Sequence, residues 1–382
     1  MSAALVLRTL QRLENGRLEV ALPGGERRDF GASDGARADL EVRSRAAFSR
    51  ILRAGDIGFA EGYLEAEWTT SDLPRLLTLL AANREPLERP IYGGFLGRLA
   101  NRLLHLARAN TRAGSRRNIA AHYDLGNDFY ALWLDPTMTY SSALYAGNAA
   151  RTLEEAQRAK LARALERLQL APGARLLEIG CGWGSFAELA AANGHHVTGL
   201  TLSAEQLAYA RKRLGAAAAI ELRDYRDERG RYDAVVSVEM IEAVGERWWP
   251  AYFAKIAEAL PAGGRALVQA IVIRDELFPR YRTGTDFIQK YIFPGGMLPS
   301  PARFELEAAA AGLRVAEAHR FGPDYAHTLA EWRRRFLARW EDVRALGFDE
   351  RFRRLWEFYL AYCEAGFATG STDVVQYLLV KR

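Results

Sequence analysis

Only two cysteines occur in the 382 residues, Cys181 and Cys363, far apart and outside any C-x-x-C pair. A disulfide framework is thereby excluded, and the reduced thiols of a cytoplasmic protein are expected. Lysine is scarce: positions 160, 212, 255, 290 and 381 are the whole set, so nearly all of the 52 basic side chains are arginine. No apolar run reaches the ~18 residues of a membrane-spanning helix, and no charged start with a small-residue cleavage site marks a secretory leader. Any membrane contact is therefore expected to be peripheral. Histidine is sparse too, and His105, His319 and the turn-like His195-His196 have no partners at metal-ligand spacing, so no metal site is expected. The excess of five positive charges favours an anionic surface. The basic residues lack the interleaved aromatics of a nucleic-acid groove, so no nucleic-acid partner is expected.

What the chain does have is a glycine-rich turn, Leu176-Leu177-Glu178-Ile179-Gly180-Cys181-Gly182-Trp183-Gly184-Ser185, joining an apolar strand to a helix. Glycines let a backbone approach a ligand closely, and the helix from Ser185 offers free N–H groups at its start. The spacing E-x-G-x-G-x-G differs from the G-x-G-x-x-G of dinucleotide enzymes and resembles motif I of class I S-adenosylmethionine methyltransferases. Around it strand and helix signals alternate. Strand 176–180, a helix near 185–193, strand 196–202, a helix from Ser203, strand 232–238, a helix over 248–260 and strand 264–271 predict a doubly wound parallel sheet. In such sheets ligands bind beyond the strand C-termini, where Thr201, Asp224, Glu242 and Gln269 fall. Residues 274–330 read as an insertion over that edge, and Val374 to Val380 as a terminal strand.

The rest of the chain divides into a small α+β accessory domain over 1–85, a basic linker over 86–120 and the main domain over 121–382. In the linker Leu96, Leu99, Leu103 and Leu106 form one helical stripe, beside Arg98, Arg102, Arg108, Arg112, Arg116 and Arg117 with no acidic residue. Such a segment suits anionic lipid, and equally a solvated helix packed on its own domain.

The segments His122-Tyr123-Asp124-Leu125-Gly126-Asn127-Asp128-Phe129-Tyr130, Leu134-Asp135-Pro136-Thr137-Met138-Thr139-Tyr140-Ser141-Ser142, the glycine turn, 286–300 and Cys363-Glu364-Ala365 together resemble the cyclopropane fatty acid synthase family. Gly55-Asp56-Ile57-Gly58 and Glu61-Gly62-Tyr63 resemble the N-terminal domain of its full-length phospholipid-acting members. The resemblance implies methyl transfer from S-adenosylmethionine to a double bond in a lipid acyl chain. It implies that Tyr140 and Ser141 contact the methionine part of the cofactor, Gly180 and Gly182 line it, Thr201 and Gln206 hold the ribose, and Asp224 with Tyr225 frames the adenine. His122 and Tyr123 would form a cover over the cofactor.

An alkene is a weak nucleophile, so it must be held in line with the sulfonium methyl in a dry pocket, and a base must then remove a proton. In ring-closing members the resemblance implies a bicarbonate held by a Glu, a His, a Tyr and backbone groups. Glu242 and Tyr325 keep the residue type, whereas Gln269 stands where the histidine is usual and Ser142 where a cysteine is usual. Glutamine offers a bound anion no positive charge. The product is accordingly open between a cyclopropane and a methyl- or methylene-branched chain. Alternatives are a small-molecule N- or O-methyltransferase and a non-catalytic lipid- or cofactor-binding homologue. The substrate expected first is an unsaturated phospholipid or fatty acyl chain at an anionic membrane, and a homodimer is left open.

Overall fold

The computed structural model describes residues 2–32, 35–91, 125–148 and 150–382. The linker's Arg/Leu stripe and the His122-Tyr123 pair lie outside the described residues. Two compact units are present, one drawn from Met1–Ala107, Arg280–Ile292 and Leu329–Ser371, the other from Arg108–Pro279, Phe293–Thr328 and Thr372–Arg382. The division thus cuts across the linear order, because 280–292 and 329–371 pack with the N-terminal unit. Two contacts show why. The Phe287 ring meets Phe358 edge-on at 4.9 Å, and Lys290 Nζ donates to Glu61 at 2.7 Å.

The first unit carries a four-stranded sheet ordered β2-β1-β3-β4, from β1 (Arg17–Ala21), β2 (Arg27–Gly31), β3 (Arg37–Val42) and β4 (Trp68–Thr69). Helices Ala46–Leu64 and Glu350–Ala368 belong to the same unit. The first of these is kinked at Gly55, which takes φ 58° and ψ −127°. Buried Trp68 stacks on Phe59 at 4.2 Å and donates its indole N–H to the Phe59 carbonyl at 2.8 Å, so its polar edge is satisfied.

The second unit is the predicted α/β sheet. Its strands are β5 (Arg175–Ile179), β6 (His196–Thr201), β7 (Ala218–Leu222), β8 (Ala234–Val238), β9 (Arg265–Ile273), β10 (Leu313–Arg320) and β11 (Thr372–Lys381), ordered β10-β11-β9-β8-β5-β6-β7. β5 to β9 pair parallel, while β11 runs antiparallel to both β9 and β10. The central strands bury both faces, and Phe186, Ala187 and Ala190 of helix Ser185–Ala192 sit in the core against Leu176, Val197 and Val236. Removing a ring such as that of Phe186 from water contributes about 1.5–3 kcal/mol.

Segment 274–330 differs from its reading as a single insertion. Only its first part interrupts the alternation, with short helices Phe278–Tyr281 and Phe287–Tyr291; helix Pro301–Ala310 and strand β10 then resume it and complete the sheet. The strand escaped the reading because β10 is an edge strand of Arg, Glu and His alternating with small apolar residues, half-exposed along its length. No described helix is long and apolar enough to cross a membrane.

Candidate active site

The strand order reverses at β5, and the chain leaves β5 into the glycine turn. Gly180 and Cys181 both donate their N–H to the Leu200 carbonyl of β6, at 3.0 and 2.9 Å, which pins the turn beside the next strand's end. Gly180 has φ +81°, and a Cβ there would lie 2.9 Å from Met240 Cγ, so both backbone conformation and space demand glycine.

A cavity opens over this turn. All eight residues expected to hold the cofactor line it: Tyr140, Ser141, Gly180, Gly182, Thr201, Gln206, Asp224 and Tyr225. Tyr140 leans on Tyr130 and Trp133, at 5.4 and 5.5 Å between ring centres, and Tyr130 on Trp183 at 5.1 Å, giving the cavity an aromatic wall. Trp183 is oriented by its N–H donating to Asn127 Oδ1 at 2.6 Å. Thr201 donates to Gln206 Oε1 at 3.0 Å, a paired set suited to ribose hydroxyls. Asp224 is tied to its own turn. It caps the turn at Tyr225–Asp227 by accepting from Arg226 N at 3.0 Å, and its oxygens also receive the Arg226 guanidinium at 2.8 and 2.5 Å. Its carboxylate is thus held at the cavity wall by Arg226. The aromatic-walled cavity fits S-adenosylmethionine, a cofactor without phosphate.

The four residues expected at the chemical step fall into two sets. Ser142, Gln269 and Tyr325 converge on Glu239, a carboxylate that sequence reasoning had not assigned a role. Glu239 Oε1 accepts from Ser142 N at 2.9 Å and Gln269 Nε2 at 2.7 Å, and Oε2 accepts from Tyr325 OH at 2.7 Å. Glu242 stands apart: Oε1 accepts from the backbone N–H of Ile271 in β9, and Oε2 is buried with no hydrogen-bond partner among the described residues. The donors that the resemblance assigns to bicarbonate are thus engaged by the protein's own carboxylate, and the cage does not fit that ion.

Register explains the convergence. Val238 of β8 pairs with Gln269 of β9, so Glu239 emerges immediately past Gln269 and donates its N–H to the Gln269 carbonyl at 2.8 Å. Glu239 has φ +49°, a left-handed conformation that costs a non-glycine residue about 1 kcal/mol and aims the side chain back over the strand ends. Gln376 of β11 donates to Gln269 Oε1 at 3.0 Å, and Arg163 donates to Gln376 Oε1, so the amide of Gln269 is fixed with its NH₂ toward Glu239.

Charge is concentrated beneath the cavity. Buried Lys160 donates to Ser141 Oγ at 2.5 Å and faces Glu239, Asp135 and Glu178 electrostatically. Burial lowers its ammonium to about 8 despite those carboxylates. Burial likewise pushes Glu178 up to about 8, against a hydrogen bond from Ala187 N–H and the Lys160 charge. Glu242 rises to about 8 through burial and then through the neighbouring Glu239 charge. Sequence signals for the unread residues exist. Glu239 is the first residue past β8, and Lys160 lies on the buried stripe Ala156, Lys160, Ala164, Leu168 of helix Leu153–Leu168.

The profile of the mycolic acid cyclopropane synthetase family matches residues 110–377. The chain belongs to this family. It is 42% identical over 404 residues to the tuberculostearic acid methyltransferase UfaA1 of Mycobacterium tuberculosis, covering 100% of this chain and 92% of that one. It is 37% identical over 337 residues to the cyclopropane-fatty-acyl-phospholipid synthase of Escherichia coli strain K12, covering 87% of this chain and 85% of that one. The crystal structure of mycolic acid cyclopropane synthase CmaA1 complexed with SAH and CTAB superposes with a TM-score of 0.66 at 34% identity, over 70% of this chain and 98% of that one. The family member described here is an S-adenosylmethionine-dependent methyltransferase of the lipid-modifying class, built on the class I methyltransferase sheet.

Proposed function

We propose that this enzyme transfers the methyl group of S-adenosylmethionine to a double bond in the acyl chain of a membrane phospholipid, and that the product is a branched chain without a ring. The observation that carries the reading is the position of Glu239: it lines the cofactor cavity and is also the hub that gathers Gln269 and Tyr325. A proton-accepting group therefore borders the place where a sulfonium methyl would be presented. Bound there, the cofactor supplies an electrophilic methyl, and the chain's residues orient it, exclude water and receive a proton. Tyr140, Ser141, Gly180 and Gly182 would hold the methionine part, Thr201 and Gln206 the ribose, and Asp224 and Tyr225 the adenine.

Support for an unclosed product comes from Gln269, which lacks the charge a histidine would offer an external anion, and from the match to UfaA1 along the whole chain. The Arg/Leu composition of 96–117 supports presentation of the substrate at an anionic membrane surface. The test supplies unsaturated phosphatidylglycerol vesicles with donor carrying a ¹³C-methyl group, saturated vesicles being the control. Label in vinylic or branched-chain NMR signals of the unsaturated lipid alone is expected. Upfield ring signals would replace the branched product by a cyclopropane, and no incorporation would defeat lipid methylation.

A further inference from the structure

Three hydrogen-bond donors of one buried pocket end on a carboxylate that the chain itself provides. Ser142 N–H and Gln269 NH₂ share Glu239 Oε1, and Tyr325 OH takes Oε2, so among the described residues Oε2 keeps a lone pair free on an oxygen of a cavity-lining side chain. Lysine 160 faces the same carboxylate. The left-handed backbone at Glu239 is a local cost held in place by the surrounding bonds, a pattern that gathers at working sites.

We propose that Glu239 is the resident general base of this enzyme, filling the place among Ser142, Gln269 and Tyr325 where the family resemblance implies a bicarbonate in ring-closing members. The inference rests on the methyl transfer to an acyl alkene proposed above. In that reaction the alkene π pair forms the new bond to the methyl carbon while the S–C pair stays on sulfur, leaving the second alkene carbon cationic. A 1,2-hydride shift moves the positive charge to the carbon bearing the new methyl. The Glu239 carboxylate then accepts a proton from that methyl, the C–H pair becomes the exocyclic C=C bond, and the carboxylic acid later returns its proton to water. Charge balances, because the positive charge of the donor ends as that proton. Three donors and the Lys160 ammonium favour the ionised carboxylate while burial opposes it, and burial prevails in raising its proton affinity. A carboxyl so placed is a stronger base than one in water.

Labelled ¹³C-bicarbonate titrated into the purified protein tests the cage without relying on turnover. The wild type is expected to leave the bicarbonate line unbroadened, and Glu239→Gly, which removes the carboxylate and relieves the positive φ, is expected to broaden it. In CO₂-stripped buffer with unsaturated vesicles, wild-type turnover is expected to change less than about twofold on adding bicarbonate, while the isosteric Glu239→Gln falls by about 10²–10⁴ under saturating S-adenosylmethionine, its fold checked by a retained calorimetric binding signal for that cofactor. Bicarbonate binding to the wild type, or Glu239→Gln turning over at more than half the wild-type rate, overturns the assignment. A wild type that methylates no vesicle lipid defeats the functional reading separately, and the bicarbonate titration then still decides whether Glu239 fills the cage.

Discussion

The cavity at the ends of β5 and β6 and the carboxylate cluster at the ends of β8 and β9 are neighbours made in opposite ways. In the cavity the decisive groups come from short runs: Gly180 to Trp183, Thr201 to Gln206, Asp224 to Arg226. Each run folds on itself through a turn, a cap or a local hydrogen bond. The cluster unites residues from 142, 239, 269, 325 and 376, each bringing a single side chain or N–H group. The cavity wall is thus built by local peptide geometry, whereas the cluster is built by packing between distant segments. The first is local in sequence, and the second depends on the register of β8, β9 and β11.

Glycine 180 offers the largest effect that separates the two. Gly180→Val places branched atoms against Met240 at a φ that valine disfavours, so affinity for S-adenosylmethionine measured by calorimetry is expected to fall at least about 100-fold, close to 3 kcal/mol. The hydrogen bonds onto Glu239 should survive in a crystal structure of the variant. Gln269→Leu attacks the other region: it removes the donor to Glu239 and leaves Gln376 NH₂ buried without that acceptor, which costs about 1–3 kcal/mol of stability. Turnover should drop about 10- to 100-fold with cofactor affinity intact, and equal losses in both quantities would erase the distinction between the regions.

Tyr325→Phe is a finer probe. Losing its hydrogen bond should reduce kcat about tenfold, in line with a 1–1.5 kcal/mol bond. Because that bond favours the ionised form of Glu239, the rising limb of the pH–kcat profile should move to higher pH. A limb that stays in place would show that Tyr325 serves position alone.

The smallest expected effect is thermal. Glu178 and Glu242 bind protons more tightly folded than unfolded, so their contribution to stability is complete below about pH 4.5 and is lost as pH rises to about 8. Lys160 has the opposite sign, its folded-state value being depressed to about 8, so from there to about 10.5 its contribution recovers. A trough in the melting temperature near pH 8 is expected by scanning calorimetry, and Glu242→Gln should flatten its acid side by a few degrees.

The contrast between the regions also explains what could be read from residues alone. The glycine turn was legible since its spacing and conformation are local, and the parallel sheet was readable because buried strands such as Ala234–Val238 are continuous apolar runs. β10 stayed hidden because its alternation is that of a polar edge strand. The packing of 280–292 with the first unit is not legible in the sequence, for the aromatic contact between Phe287 and Phe358 joins residues about seventy positions apart. Glu242, Tyr325 and Gln269 were expected around a bound bicarbonate; Tyr325 and Gln269 instead donate to Glu239, three positions before Glu242, whose left-handed φ no propensity for glutamate suggests. Ser142 entered through its N–H, while its hydroxyl turns to the Ala143 carbonyl at 3.0 Å.

Strand β11 lies between β9 and β10 although more than fifty residues separate it from either in the chain's order. During synthesis, β9 therefore waits with one ladder of N–H and C=O groups bare until 372–381 emerge, and a nascent chain in that interval is sticky toward any extended segment it meets. Of the strands in this sheet β11 is made after all the others, and it is the one that joins Gln376 to Gln269.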